Sequence, residues 1–286
     1  MQEPLKIAVQ KSGRLLDGSL QFLKECGIRI DNGKNQLKVN ARNFPLEVYY
    51  LRNSDIPQYV YDGVADIGIL GQNTVLEKGL NLQEVLPLGF SKCRLSIAVP
   101  KAVDYTGTQW LHGKKIATSY PHSLRQFLDR HNLQADIHVI SGSVEIAPNI
   151  GLADAICDLV STGNTLFRNG LKEAEVMVKS EAALFVRDAL PAAKQGLLDQ
   201  LVFRLKSVLA AGNNKYLLMN APNDHVDEII RMLPGMKSPT VTPLADRQWS
   251  SIHTVIQEDR FWEIIDQLKS HGAQGILVIP IEKMIL

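Results

Sequence analysis

Residues 155–166 read Ala155-Ile156-Cys157-Asp158-Leu159-Val160-Ser161-Thr162-Gly163-Asn164-Thr165-Leu166. An apolar strand carries a carboxylate near its end, hydroxyl residues gather around a glycine, and a helix opens near Thr165. Strand, tight loop and helix in that order form the repeating unit of an α/β protein. Gly163 lets the backbone approach an anion closely, unpaired backbone N–H groups favour a phosphate, and Ser161, Thr162 and Thr165 add hydroxyl donors. A phosphate cradle is one reading of the loop; ordinary turn and cap chemistry is the other.

The same alternation runs along most of the chain. Leu5, Ile7 and Val9 alternate as a strand. After Lys11-Ser12-Gly13-Arg14 the apolar Leu16, Leu20 and Leu23 follow helical spacing, ended by Gly27. Residues 46–51 read as a strand. Ser54 then offers a helix cap with Asp55 and Pro57 in the first turn, Gly63 ends that helix, and 66–70 return as a strand. Strand-like segments recur at 95–99, 115–118, 137–140 and 183–186, with a helix over 123–131 and a long one over 192–211.

The tail has another rhythm. A strand at 216–219, a helix over 224–233 closed by Pro234-Gly235, strands at 240–244 and 252–256, a helix over 261–271 and a strand at 276–279 give the order βαββαβ. That is the split βαβ pattern of ferredoxin-like folds.

At 286 residues the chain exceeds one small core, and two or three domains are expected. Hydrophobic residues at 45% and charged residues at 21% place it among ordinary globular proteins. A net charge of +1 supplies no global field to gather nucleic acid or an anionic membrane, so small molecules are the expected partners. The first residues lack the basic flank and long apolar run of a secretory signal, and no stretch is apolar enough to cross a bilayer. Cys26, Cys93 and Cys157 form no Cys-x-x-Cys pair and leave an odd count, which argues against a secreted disulfide framework and fits the cytoplasm. Cys157 lies within an apolar strand and reads as a core residue rather than a nucleophile. The seven histidines show no His-Glu-x-x-His spacing, and no dedicated metal site is assigned.

Carboxylates flank the cradle: Asp154 and Asp158 around the strand, and Glu145 within Gly142-Ser143-Val144-Glu145-Ile146-Ala147-Pro148. A carboxylate that accepts vicinal hydroxyls beside a phosphate cradle suits a phosphorylated ribose. The stretches 140–148 and 151–163 closely resemble those of ATP phosphoribosyltransferases. Gln10-Lys11-Ser12-Gly13-Arg14-Leu15, Asp66-Ile67-Gly68-Ile69-Leu70-Gly71, Cys93-Arg94-Leu95, Ala117-Thr118-Ser119-Tyr120-Pro121 and Ile279-Pro280-Ile281-Glu282-Lys283 are similar to that family's segments in its order. The resemblance covers essentially the whole chain.

The resemblance implies two α/β lobes like those of periplasmic binding proteins, 1–94 with a returning segment 181–211, and 95–180, with a cleft between them. A C-terminal regulatory domain of the ferredoxin-like, ACT-like kind is implied over 212–286. The reaction it implies is attack of adenine N1 of ATP on the anomeric carbon of phosphoribosyl pyrophosphate (PRPP), releasing pyrophosphate, at the start of histidine biosynthesis. Mg²⁺ would be held mainly by the pyrophosphate. Lys11, Arg14, Arg52 and Arg94 are the catalytic cations expected; Glu145, Asp154, Asp158, Ser161, Thr162, Gly163, Asn164 and Thr165 would bind PRPP; Asp66, Gly71 and Tyr120 would border ATP. Histidine would inhibit through Asn220, Thr240 and Gly275, with a neighbouring subunit contributing. The family also implies a homo-oligomer, from dimer to hexamer, and a full tail implies no need for a separate regulatory subunit. The sequence departs from the better-known phosphoribosyltransferase motif, because Leu159 rather than a second acid follows Asp158. Two alternatives stay open: a solute-binding protein of the same lobe architecture, and a phosphoribosyltransferase for a different base.

Overall fold

A computed structural model describes residues 3–31, 36–233 and 238–285. Chain contacts divide it into two units, 1–199 and 200–286. The proposed helix closure at Pro234-Gly235 lies outside the described residues.

The first unit contains two sheets. Its first runs through β1 (Leu5–Gln10), α1 (Arg14–Glu25), β2 (Lys38–Asn40), β3 (Leu46–Leu51), α2 (Ile56–Tyr61), β4 (Ile67–Gly71), α3 (Gln72–Lys78) and β5 (Gln83–Pro87). β4 is buried at all but its last residue and β1 at four of its six, as befits central parallel strands whose two faces are both covered. The α2 N-cap is Asp55 rather than Ser54, and the Ser54 hydroxyl donates to the Asp55 carboxylate instead.

The chain then crosses into a second sheet, formed by β6 (Cys93–Pro100), β7 (Lys115–Thr118), α4 (Pro121–Arg130), β8 (Asp136–Val139), β9 (Ala155–Val160), α5 (Asn164–Arg168) and β10 (Leu171–Ser180). It returns through β11 (Ala182–Val186) to the first sheet and enters α6 (Ala192–Gly212), within which the division between units falls. The first sheet has the order β2-β3-β1-β4-β11-β5 with β3, β1 and β4 parallel, and the second the order β10-β6-β9-β7-β8 with β9, β7 and β8 parallel. We call these lobes I and II. Leu95, Ile97, Val99 and Cys157 pack one face of the second sheet, and Ala98, Ile156 and Val160 the other.

The second unit follows α6 with β12 (Asn214–Pro222), α7 (Val226–Met232), β13 (Thr240–Pro243), β14 (Trp249–Gln257), α8 (Glu258–Ser270) and β15 (Gln274–Pro280). Its antiparallel sheet has the order β13-β14-β12-β15, the ferredoxin-like arrangement expected from the tail pattern. Leu217, Met219, Ile252 and Ile256 on its inner face pack against Ile229 of α7 and Phe261, Ile264 and Leu268 of α8. Among the described residues no helix is long and apolar enough to cross a membrane.

Candidate active site

In parallel α/β sheets, ligand sites form beyond the carboxyl ends of the strands, where loops enter the next helices. In lobe I that edge carries Lys11, Arg14, Arg52 and Gly71. The Lys11 N–H donates to the Leu51 carbonyl at 2.8 Å, which brings the end of β1 beside Arg52 at the end of β3. Gly13 has φ +89° immediately before α1, a conformation that suits glycine and turns the chain so that Arg14 opens the helix. Lys11, Arg14 and Arg52 are all exposed. Gly71 ends β4, and a Cβ there would fall 2.4 Å from the Asn73 side-chain oxygen.

The matching edge of lobe II gathers Tyr120 after β7, Glu145 after β8 and the loop 161–165 after β9. Gly163 takes φ +81° and ψ −4° as the residue before α5, and the space where its Cβ would stand is open. Ser161, Thr162, Asn164 and Thr165 are exposed around it. The Asp158 carboxylate accepts the Leu159 N–H at 2.7 Å, yet burial and the charge of Glu145 raise its pKa above the ordinary range. Burial and the charge of Asp158 also raise the Tyr120 phenol. Glu145, Asp158 and Tyr120 therefore share one electrostatic neighbourhood beside the loop. Cys157 is fully buried and its thiol is pushed up to about 12, chiefly by burial, which leaves it protonated and inert.

The lobes meet through specific contacts. At the crossing from β10 to β11, the Ser180 hydroxyl accepts the Asn73 N–H and donates to the Asn73 side chain, at 3.0 and 2.9 Å. The Glu181 N–H donates to Gln72 Oε1 at 3.1 Å. Glu77 of α3 accepts the N–H groups of His122 and Ser123, each at 2.9 Å, and the Ser123 hydroxyl at 2.7 Å, so a lobe I carboxylate caps lobe II helix α4. Beside this hinge lies a pocket of about 420 Å³, lined by Gln72, Lys92, Cys93, Arg94, Ser161, Lys179, Ser180 and Glu181. It touches the loop at Ser161 and carries three cations.

Three residues expected at the site stand elsewhere or are otherwise engaged. Asp66 precedes β4, at the opposite end from Gly71, and is 2% exposed. Its Oδ2 accepts the Lys6 N–H at 2.9 Å and pairs with the buried Lys194 ammonium at 2.8 Å, which fastens the start of α6 to the first sheet at the end of β4 remote from Gly71. Asp154 precedes β9 and accepts the Lys115 N–H at 2.9 Å. It lies about 13 Å of strand away from Asp158, and so joins β9 to β7 rather than serving the ribose. Arg94 does stand next to the loop, but Glu173 takes its Nε and Nη2 and the Ser161 carbonyl accepts from its Nη1 at 3.0 Å. All three of its guanidinium nitrogens are thus engaged by groups of lobe II. Lys92, Lys179 and Glu173 were missed. Lys92 adjoined the quoted Cys93-Arg94 segment, whereas Glu173 and Lys179 lie on a strand whose pattern gave no sign of it.

In the second unit, Asn220 stands beside Gly275: a Cβ on that glycine, at φ +58°, would lie 3.6 Å from the Asn220 amide nitrogen. Thr240 on β13 pairs with His253 on β14. β13 and β15 are the two edges of the four-stranded sheet, so Thr240 and Gly275 are three strand spacings apart, about 14 Å.

Two family models match the chain: HisG, described as ATP phosphoribosyltransferase, over residues 52–207, and the HisG C-terminal domain over residues 211–283. The ATP phosphoribosyltransferase of Phocaeicola vulgatus is 56% identical over 282 residues, 99% of this chain and 100% of the relative. That of Cytophaga hutchinsonii is 54% identical over 285 residues, the full length of both. Among solved structures, an ATP phosphoribosyl transferase (HisG:HisZ) complex from Thermotoga maritima aligns with a TM-score of 0.62 at 27% identity, covering 71% of this chain and 96% of that one. A histidine kinase sensor domain with similarity to periplasmic binding proteins aligns with a TM-score of 0.51 at 11% identity, over 74% of this chain and 92% of that one, a likeness of fold alone.

Proposed function

The chain belongs to the ATP phosphoribosyltransferase family, and on that premise we propose that PRPP binds lobe II while ATP bridges to the cations of lobe I. The loop 161–165 receives the 5-phosphate through backbone N–H groups and the hydroxyls of Ser161, Thr162 and Thr165. Asp158 accepts the ribose hydroxyls, with Glu145 beside it. Tyr120 borders the adenine, and Gly71 keeps the lobe I edge low enough for the triphosphate to approach. Lys11, Arg14 and Arg52, with Lys92 and Lys179 at the hinge, offset the charge of two polyanions brought together.

Adenine N1 carries its own lone pair and pyrophosphate leaves readily, so catalysis rests on alignment and on fixed cations near the leaving oxygens. Held mainly by the pyrophosphate, Mg²⁺ would supply additional charge neutralisation there. The tail binds histidine as a feedback inhibitor, so the chain works without a separate regulatory subunit, as a homo-oligomer in the cytoplasm. The HisG C-terminal domain model that matches residues 211–283 supports only the presence of a long-form tail there.

One observation carries the catalytic assignment. The exposed hydroxyl loop with its half-buried Asp158 and the exposed cations Lys11, Arg14 and Arg52 occupy the carboxyl edges of two sheets joined at a cation-lined hinge. Mixing the chain with Mg²⁺, ATP and PRPP should change the adenine absorbance and release one pyrophosphate per adduct. A folded chain that forms no adduct sinks the proposal.

A further inference from the structure

We propose that Glu173 is a positioning residue for the PRPP loop and acts through Arg94, an inference that rests on the assignment of residues 161–165 to PRPP. Glu173 lies on β10, Arg94 and Ser96 lie on β6, and Ser161 directly follows β9, so the residues span three adjacent strands. The two Glu173 oxygens accept Arg94 Nε and Nη2, each at 2.5 Å, fork against fork. Oε1 also accepts the Ser96 hydroxyl at 2.7 Å. The remaining guanidinium nitrogen, Nη1, donates to the Ser161 carbonyl at 3.0 Å.

Register fixes where this row runs. Ser96 pairs with Asp158 and Arg94 with Val160, and the two-residue period of a strand puts Arg94, Ser96 and Asp158 on one face of the sheet. The row from Glu173 to the loop thus passes beside the carboxylate assigned to the ribose.

The chemistry explains why a carboxylate is needed. An arginine beside a site for two polyanions is drawn towards them, away from a neutral carbonyl. A bidentate carboxylate holds the planar guanidinium in one orientation and offsets its charge, so Nη1 stays on Ser161 while the loop's N–H groups face the phosphate. The hydrogen bonds from Arg94 hold the Glu173 carboxyl below its ordinary pKa, in keeping with a permanently ionised partner. Arg94 and Glu173 side chains are 30% and 25% exposed, sheltered enough for geometry to persist.

The test uses the full chain, with PRPP binding measured by calorimetry, KM measured for both substrates, and melting followed in parallel. Glu173→Gln keeps the shape and one acceptor but loses the charge. It should raise Kd and KM for PRPP about tenfold, the scale of one charge-assisted hydrogen bond, and leave KM for ATP within about twofold. Combining it with Arg94→Gln should weaken PRPP binding no further than Arg94→Gln alone, because Glu173 acts through Arg94. Unchanged PRPP affinity, losses that add, or a lower melting temperature without a change in PRPP affinity would each overturn the role. Should Glu173→Gln not fold, Ser96→Ala removes only one donor and should raise KM for PRPP two- to threefold, as a rough expectation; no change there overturns it as well. Thr162→Val and Gly163→Val separate the premises. If they bind PRPP like the parent, or the parent binds none, the loop assignment falls and this proposal with it; if they weaken binding and Glu173→Gln does not, only the Glu173 role falls.

Discussion

Because burial and Glu145 raise the Asp158 carboxyl, the folded chain holds that proton more tightly than the unfolded chain does. The stability linked to this group is fully present below the unfolded-state pKa and is lost as pH rises through the raised folded-state value. At neutral pH the ionised carboxylate therefore opposes folding. Asp158→Asn should raise the melting temperature at pH 7 by about 2 to 4 °C, a gain that shrinks as pH falls through the raised folded-state value and is gone below the unfolded-state one, while PRPP binding weakens roughly tenfold. Scanning calorimetry across pH, together with PRPP titration, checks both; a stability gain that persists unchanged at pH 4 contradicts the linkage. Among the cations, Arg14→Ala should lower kcat/KM about a hundredfold. Arg130→Ala, at the far end of α4 from Tyr120, should leave it within twofold, a rough bound for a solvated cation. The strand carrying Asp158 and the turn at Gly163 were legible in sequence because an apolar run with a carboxylate gives way to hydroxyl residues around a glycine. The restraint on Arg94 was not, since Glu173 is 79 residues away along the chain.

Elements explain that gap. β10 is Leu171-Lys172-Glu173-Ala174-Glu175-Val176-Met177-Val178-Lys179-Ser180, and register shifts between Glu173 and Glu175 and between Val176 and Val178 break the alternation by which a strand is recognised. β5 was missed because Gln83-Glu84-Val85-Leu86-Pro87 is an edge strand with no buried residue and no alternation, and β2 because three residues are too short for a pattern. The helix and strand starts at β1, β3, β9 and α6 were readable because their apolar runs are long and bounded by turn residues. Asp66 misled for an opposite reason: a carboxylate beside a glycine-rich strand looks like a site, and only the fold reveals Lys194 arriving from α6. Asp66→Asn should destabilise the chain by about 1.5 to 3 kcal/mol, because it removes the buried partner of the Lys194 ammonium and leaves only the exposed Glu3 carboxylate, at 3.0 Å, to pair with it. KM for ATP in the fraction that stays folded should not change; a selective rise in that KM with unaltered unfolding midpoint would return Asp66 to the ATP site. Glu77 works at the same scale, capping α4 from another lobe. Glu77→Ala should cost about 1 to 2 kcal/mol, read as a lower denaturant midpoint.

For the whole molecule, the order of elements was the most readable property. The alternating strand and helix pattern anticipated the two parallel-sheet lobes, and βαββαβ anticipated the ferredoxin-like tail. The expected regulatory ligand is less legible, because Asn220, Thr240 and Gly275 are also the residues that finish strands and turns. Free histidine should inhibit the full chain, and Thr240→Val should raise the half-inhibitory concentration at least several-fold, roughly the worth of one lost hydroxyl contact. Activity that ignores millimolar histidine would remove the tail from regulation. The placement of Thr240 and Gly275 on opposite edges of one sheet carries a further consequence. No single tail brings both to one small amino acid about 14 Å across the strands, so a site that uses both borrows one edge from a second tail. Histidine affinity then becomes a function of how many chains are in the tube: diluting the protein through its self-association range should blunt inhibition by mass action, and adding chain back should restore it.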